Sequence, residues 1–221
     1  MKKTVIILGA SGLTGGLLLK QLITDERYAS IKIFARSKIE GLPNKVTQYI
    51  GDLLHLEQFK ADFTADEVFC CIGTTKSKTP EKDLYRKIDY GIPVSAAKLA
   101  KENGIHTFLV ISALGANADS SLFYNKTKGE MERDVLQLGI ENTYILQPSL
   151  IGGDREESRT IEDIGKAIFK TIEPLFFGKL KQYKITDPKH LAKAMIFLAN
   201  NTDRSEVFVT SNDIKNITQK N

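Results

Sequence analysis

Thr4-Val5-Ile6-Ile7-Leu8-Gly9-Ala10-Ser11-Gly12-Leu13-Thr14-Gly15 is the stretch that decides the fold. Five residues that suit a buried strand run straight into three regularly spaced glycines, and a helical apolar pattern from Leu13 to Thr24 opens among them. Each glycine has its own reason. At position 9 glycine permits a tight turn, at 12 it lets backbone approach a ligand, and at 15 it lets the helix pack closely on the strand. The helix N-terminus presents unpaired N–H groups and the positive end of a dipole, so it attracts an anion. An ordinary strand-to-helix turn shows the same glycines. Their position directly after a first strand favours the pyrophosphate of a dinucleotide, with Ser11, Leu13 and Thr14 completing the cradle.

The pattern continues outward from that turn. Strand-like runs are read at Thr4 to Leu8, Ile31 to Ala35, Val46 to Ile50, Glu67 to Ile72, Thr107 to Ile111 and Thr143 to Leu146. Most are apolar on both faces, as strands of a covered parallel sheet are. Helical spacing is read at Leu13 to Thr24, Leu84 to Asn103 and Leu122 to Leu138, with Gly104 and Gly139 placed to end two of these helices. The succession predicts an α/β protein with a doubly wound parallel sheet, the Rossmann arrangement. After Pro148 the rhythm loosens. Residues 152 to 159 read as a charged loop, 160 to 171 as a helix, 174 to 178 as an apolar turn and 182 to 185 as a strand; a helix at Pro188 to Ala199 and a strand at Val207 to Val209 follow. The expectation is a single domain over residues 1–221. Its core is about 1–150, and a small substrate-side lobe, about 151–221, sends elements back to the core.

Composition bounds the rest. At 221 residues, 42% hydrophobic and 26% charged, the chain is large enough for one substantial core. The net charge of +4 is dispersed, and the basic stretch Lys76 to Lys87 is broken by Glu81 and Asp83, so it reads as a solvated face and no nucleic-acid partner is expected. Adjacent Cys70 and Cys71 have neither disulfide nor metal-ligand spacing and read as packing thiols. His55, His106 and His190 are too scattered for a zinc site, and no metal is expected. The charged and apolar N-terminus lacks a cleavage pattern and is interrupted by glycines. No run is long enough to span a bilayer. Cytoplasm is therefore the default expectation, with no membrane partner.

Further strand ends complete the predicted groove. Where an acidic residue would accept from an adenosine ribose, the second strand ends in Ala35-Arg36-Ser37, and an arginine there suits a 2′-phosphate. NADP(H) is thus favoured over NAD(H), the alternative being a solvated strand-end arginine. Asp52 and Leu53 follow the third strand and Gly73, Thr74 and Thr75 the fourth. These read equally as cofactor contacts or as turn and cap residues.

The candidate chemistry lies downstream. Ser112 ends the fifth strand, and Tyr124 and Lys128 stand four apart on the next helix, hence on one face. An ammonium beside a phenol stabilises the phenolate and makes Tyr124 a candidate proton donor or acceptor, with Ser112 hydrogen-bonding the substrate oxygen. A surface pair is the alternative. Arg155 and Arg159 are candidates for anion contact on the substrate side, or else members of a salt-bridged loop.

With Gly9-x-x-Gly12-x-x-Gly15, Ser112 and Tyr124-x-x-x-Lys128 in hand, the sequence resembles the short-chain dehydrogenase/reductase superfamily in its atypical or extended branch. Within it, the chain is similar to the Tat-interacting-protein-like family of NADPH-binding members from about Thr4 to Ile196. The likeness includes Cys70-Cys71-Ile72-Gly73-Thr74-Thr75, Lys128-Gly129-Glu130-Met131-Glu132 and Asp154-Arg155-Glu156-Glu157-Ser158-Arg159. The resemblance implies NADPH along Gly9 to Gly15 and Arg36, a site at Ser112, Tyr124 and Lys128, and Pro148, Leu150 and Ile151 passing the nicotinamide. The chain departs from the pattern in having Cys71-Ile72-Gly73-Thr74 in place of Asn-Asn-Ala-Gly. It also has Asp89 where extended members commonly carry asparagine.

The leading expectation is an NADP(H)-dependent oxidoreductase on a small carbonyl or hydroxyl compound. A second enzyme class, nucleotide-sugar epimerisation, would use the same residues but has little room in the short lobe. The rival of another kind is a non-catalytic regulator or redox sensor whose shape, or binding of a protein partner, depends on NADP(H).

Overall fold

A computed structural model describes residues 2–152, 185–202 and 206–220 of the chain. The first strand, β1 (Lys3–Leu8), is buried from Val5 onward and leads through the glycine turn into α1 (Leu13–Thr24). Then come β2 (Tyr28–Ala35), β3 (Val46–Ile50) and a 3-10 segment, Leu53–Phe59. The chain next returns to the middle of the sheet as β4 (Glu67–Cys70). Two helices, α2 (Lys82–Arg86) and α3 (Ile92–Glu102), are separated by a π turn at Lys87–Gly91. The remaining elements are β5 (Thr107–Ile111), α4 (Phe123–Gln137), β6 (Asn142–Gln147), α5 (Pro188–Ala199), β7 (Phe208–Thr210) and α6 (Ser211–Lys220).

Among the described residues the strands form one parallel sheet in the order β3-β2-β1-β4-β5-β6-β7. This is the doubly wound arrangement that the sequence predicts. One core lies on each face of the sheet. Leu18, Leu22, Leu191, Met195 and Ile214 of α1, α5 and α6 cover one face, and Val94, Ala97, Met131 and Val135 of α3 and α4 cover the other. The strand order reverses between β1 and β4, which opens a crevice beyond their carboxyl ends. Register fixes its floor. Leu8 pairs with both Phe34 and Cys70, and Cys70 with Val110, so these strands release Gly9, Ala35, Cys71 and Ile111 at one level.

Several elements differ from the sequence reading: β2 begins at Tyr28, β4 ends at Cys70, and a 3-10 segment occupies Leu53–Phe59. The helix expected over Leu84 to Asn103 is broken by the π turn, because Pro93 at the start of α3 has no N–H to continue the preceding ladder. A further helix, α6, follows the last strand, where none was anticipated. The sequence-derived loop, helix and turn between 153 and 181 lie outside the described residues. The strand expected at 182 to 185 is described only at Ile185, next to an isolated parallel bridge between Ile151 and Thr186.

Candidate cofactor and proton-transfer site

The turn at the head of β1 is built by close backbone approach. Gly9 adopts φ +84, and a Cβ there would stand 2.7 Å from the Cys71 carbonyl oxygen. A Cβ on Gly15 would overlap the Gly9 carbonyl oxygen, and one on Gly12 would come within 3.2 Å of the same atom. Gly12 N–H donates to that oxygen at 2.9 Å, which closes the turn. No side chain caps α1, and its first turn carries no acidic residue. Its leading N–H groups therefore face a groove in which Ser11 and Gly12 are exposed. Thr14 and Gly15 are buried at the base of the helix. This cradle fits a pyrophosphate: donors without acceptors, a favourable dipole and no Cβ in the way.

The other groove residues divide by what they offer. Arg36 and Ser37 are exposed just past β2, and Arg36 has no acidic partner among the described residues. Asp52 uses its carboxylate to cap the 3-10 segment, accepting from Leu54 N–H at 3.0 Å. Leu53 is 5% exposed and belongs to the core, so only its backbone is available to a ligand. Gly73 and Thr75 are exposed, whereas Thr74 is tied down through N–H, hydroxyl and carbonyl. Pro148 is buried, and its carbonyl accepts from Leu114 N–H at 2.9 Å. Leu150 and Ile151 continue from the end of β6 with increasing exposure, Ile151 bridging to Thr186. Arg155 and Arg159 lie outside the described residues.

Around β5 and α4 the structure brings together a polar group in a dry setting. Lys128 Nζ stands 2.9 Å from Asp89 Oδ1 and 3.4 Å from the Ile111 carbonyl; the two side chains of the ion pair are 5% and 1% exposed. Asp89 Oδ2 accepts from Thr74 N–H at 2.7 Å. Burial, the largest single influence, would pull the Lys128 ammonium down, but the charge of Asp89, the nearby Tyr124 phenol and the hydrogen bond to Asp89 together outweigh it and the net direction is up. Tyr124 packs edge-on against Tyr85, with ring centroids 6.4 Å apart. The residue as a whole remains 43% exposed. Desolvation pushes the Tyr124 phenol up, the Lys128 ammonium opposes that, and Asp89 adds to the rise. Ser112 is buried, and among the described residues its Oγ has no hydrogen-bond partner. It faces Glu132 without reaching bonding geometry; burial pushes the Glu132 carboxyl up, against the influence of Ser112, Gln147 and Lys128. An unpaired buried hydroxyl at a strand end is a ready donor to a ligand oxygen.

The sequence reading missed what Asp89 and Glu132 do. Asp89 is noted there only as a departure from asparagine. The signal for its position was Pro93, which breaks the helix and turns this carboxylate inward. Glu132 follows Lys128 at the same spacing by which Lys128 follows Tyr124, so all three share a helix face.

Residues 9–168 match a family described as NAD(P)H-binding. The chain belongs to this family. It is 34% identical to the mitochondrial protein FMP52 of Candida albicans, over 76% of this chain and 75% of that one. It is 33% identical to the protein HTATIP2 of Rattus norvegicus, over 77% of this chain and 72% of that one. At these identities and coverages the chain is a relative of FMP52 and HTATIP2 within that NAD(P)H-binding family. Among solved structures, MoeE5 in complex with UDP-glucose and NAD is similar with a TM-score of 0.69 at 18% identity, over 98% of this chain and 81% of that one. A UDP-galactose 4-epimerase gives 0.68 at 13% identity, over 94% and 75%. At those identities the likeness is one of fold. The names also correct one expectation. The FMP52 relatives are called mitochondrial, which points away from the cytoplasm. The cytoplasmic default rested only on finding no leader or span, and such an absence carries no address.

Proposed function

We propose that the chain is an NADP(H)-dependent oxidoreductase acting on a small carbonyl or hydroxyl compound. The observation that carries this reading is the grouping of Tyr124, Lys128 and the Ser112 hydroxyl, unbonded among the described residues, at the strand ends where the glycine cradle opens. When bound, a reduced nicotinamide supplies a hydride for the carbonyl carbon. Tyr124 gives its phenol proton to the carbonyl oxygen as that oxygen takes up the electron pair of the C=O π bond. Ser112 Oγ donates a hydrogen bond to the same oxygen, which favours the developing charge. Tyr124 as a residue is 43% exposed, which leaves solvent as the source that returns the proton. Arg36 and Ser37, exposed and without an acidic neighbour in contact among the described residues, support the 2′-phosphorylated nucleotide over NAD(H). The names of the FMP52 relatives support a mitochondrial setting.

The test is a panel of small aldehydes, ketones and quinones followed by NADPH absorbance, run on the protein and on Tyr124→Phe. Turnover that vanishes in the variant supports the reading. Tight NADPH binding with no turnover across the panel favours a nucleotide-dependent regulator instead.

A further inference from the structure

The ion pair between Asp89 and Lys128 is a costly thing to bury. Two charges removed from water lose several kcal/mol of hydration each, and a pair of apolar residues would stabilise a fold as well or better. Here the pair lies where the predicted chemistry lies. Asp89 sits in the π turn, an interruption of helix geometry common at functional sites, and that turn swings its carboxylate toward β4. The carboxylate is anchored on its far side by Thr74 N–H at 2.7 Å, just beyond the end of β4. Gly73 leaves the space beside it open: a Cβ there would meet Asp89 Oδ1 at 3.6 Å and Lys128 Nζ at 3.9 Å.

We propose that Asp89 is the positioning residue of this site: its buried carboxylate fixes the Lys128 ammonium against the ends of β4 and β5 and, as counter-charge, keeps both protons of the Tyr124–Lys128 pair in place, so that Tyr124 acts as a proton donor. The inference rests on Tyr124 as the proton-exchanging group, and it deepens that reading by giving the group a resting state. A lone ammonium beside a phenol favours phenolate; an ammonium already matched by a carboxylate does so far less. Among the described residues the titratable groups around the pair are few. Lys128 bonds Asp89 from the π turn and lies within electrostatic reach of Cys70 from β4 and Glu132 from its own helix; Tyr124 lies within the same reach of Lys128 and Asp89 and packs edge-on against Tyr85 of α2. Of these, only Asp89 bonds the ammonium directly.

The test is Asp89→Asn, read on the protein without nucleotide or substrate. The amide keeps an acceptor for Thr74 N–H and removes the charge. Tyr124 ionisation is followed as the ultraviolet phenolate signal that is lost in Tyr124→Phe, and Lys128 by the side-chain NMR signal lost in Lys128→Met. The two titrations are coupled, so the quantity compared is the first proton released by the pair. Loss of a negative charge lowers the proton affinity of both groups, and that first release is expected about one pH unit or more lower in the variant. Equal titrations in the two proteins, or none in either before alkaline unfolding, overturn the proposal. Should Asp89→Asn fail to fold, Lys128→Met is compared with the double variant Asp89→Asn/Lys128→Met. The double variant is expected to be the more stable, because Lys128→Met alone leaves a carboxylate buried without its partner. Simply additive losses overturn the pairing. A carbonyl panel without turnover counts against the oxidoreductase reading and leaves these titrations standing.

Discussion

The first and third glycines of the turn, Gly9 and Gly15, touch through backbone: a methyl group on Gly15 would overlap the carbonyl oxygen of Gly9. That oxygen also accepts from Gly12 N–H, so the turn is held by an atom that leaves no room for a side chain on the helix above it. Gly15→Ala is therefore expected to destabilise the protein by about 2 kcal/mol or more, since overpacking against backbone cannot relax by a rotamer change. Gly16→Ala is the control. Its Cβ would meet the Ala10 carbonyl oxygen at 3.3 Å, a contact that small shifts relieve, and the gain in helix propensity of about 1 kcal/mol offsets it. Urea unfolding of both variants checks this; equal losses would show that the turn tolerates a methyl group.

On the proposed reading, Arg36 sets which nucleotide the groove prefers. Exposed and unpaired among the described residues, it is free to form a charge-assisted contact with a 2′-phosphate. Arg36→Ala is expected to weaken NADPH by about 1.5 to 3 kcal/mol and NADH hardly at all. Calorimetric titration of both nucleotides against both proteins measures it. Equal affinity of the unsubstituted protein for the two nucleotides would remove the basis of the NADP(H) assignment.

How far the sequence was legible follows from what kind of force sets each element. Thr107–Ile111 and Leu13–Thr24 were read to the residue, because a strand packed between layers or a helix on a sheet declares itself by apolar spacing, and the edge strand Val46–Ile50 was read to the residue as well. Polar elements declare themselves less. The helix Ser211–Lys220 is only weakly apolar, and its start is set by Thr210 and Asp213, whose carboxylate accepts from Thr210 N–H at 2.8 Å. That Thr-x-x-Asp spacing was a legible capping signal that went unused. At the site, Tyr124 and Lys128 could be named from spacing along one helix. Asp89 could not be joined to them, because its contact with Lys128 spans two segments and depends on the π turn.

A second buried cluster gives a pH dependence of stability. At the far end of the sheet Glu67, 1% exposed, accepts from Tyr28 hydroxyl at 2.9 Å and pairs with Lys3, which also reaches the Ala199 carbonyl and Asn200. Burial raises the Glu67 carboxyl, and Lys3 only partly restores it. A carboxyl raised in the folded state binds its proton more tightly there than in the unfolded chain, so its contribution is fully present below the ordinary carboxylate range. It is lost as pH rises through the elevated value. Glu67→Gln removes the titrating carboxyl and is expected to flatten that slope above the ordinary carboxylate range, while giving up the ion pair with Lys3. Denaturant midpoints across the range read both effects, and parallel slopes in the two proteins would contradict the assignment.

Cys70 and Cys71 are expected to be inert. Burial pushes the Cys70 thiol up to about 11 and moves Cys71 in the same direction, so neither holds a useful thiolate fraction at neutral pH. Cys71 Sγ rests 3.9 Å from Met195 Sδ, a packing contact between the residue just past β4 and α5. Serine at position 70 places a hydroxyl in the core and should lower stability by about 1 to 3 kcal/mol. Rapid alkylation of the folded protein, with loss of nucleotide binding and no unfolding, would assign these thiols a role that their burial denies.

Tyr124 carries the functional claim. Phenylalanine keeps the edge-on packing against Tyr85 and has no proton to exchange, so Tyr124→Phe is expected to fold, to bind NADPH and to lose turnover by about 10² to 10⁴-fold in the chemical step. The pH profile carries the same information independently. Because the phenol is raised above its ordinary value, a donor at this position stays protonated through neutral pH, and reduction should decline only on the alkaline side as the proton is lost. Oxidation of an alcohol by the same residue needs the deprotonated form and should instead climb with pH over that range. Measured in both directions on one substrate, opposite slopes that converge on a single midpoint, absent in Tyr124→Phe, identify the phenol as the proton carrier; an undiminished rate in the variant would remove Tyr124 from the mechanism and leave Ser112 or Glu132 to supply the proton.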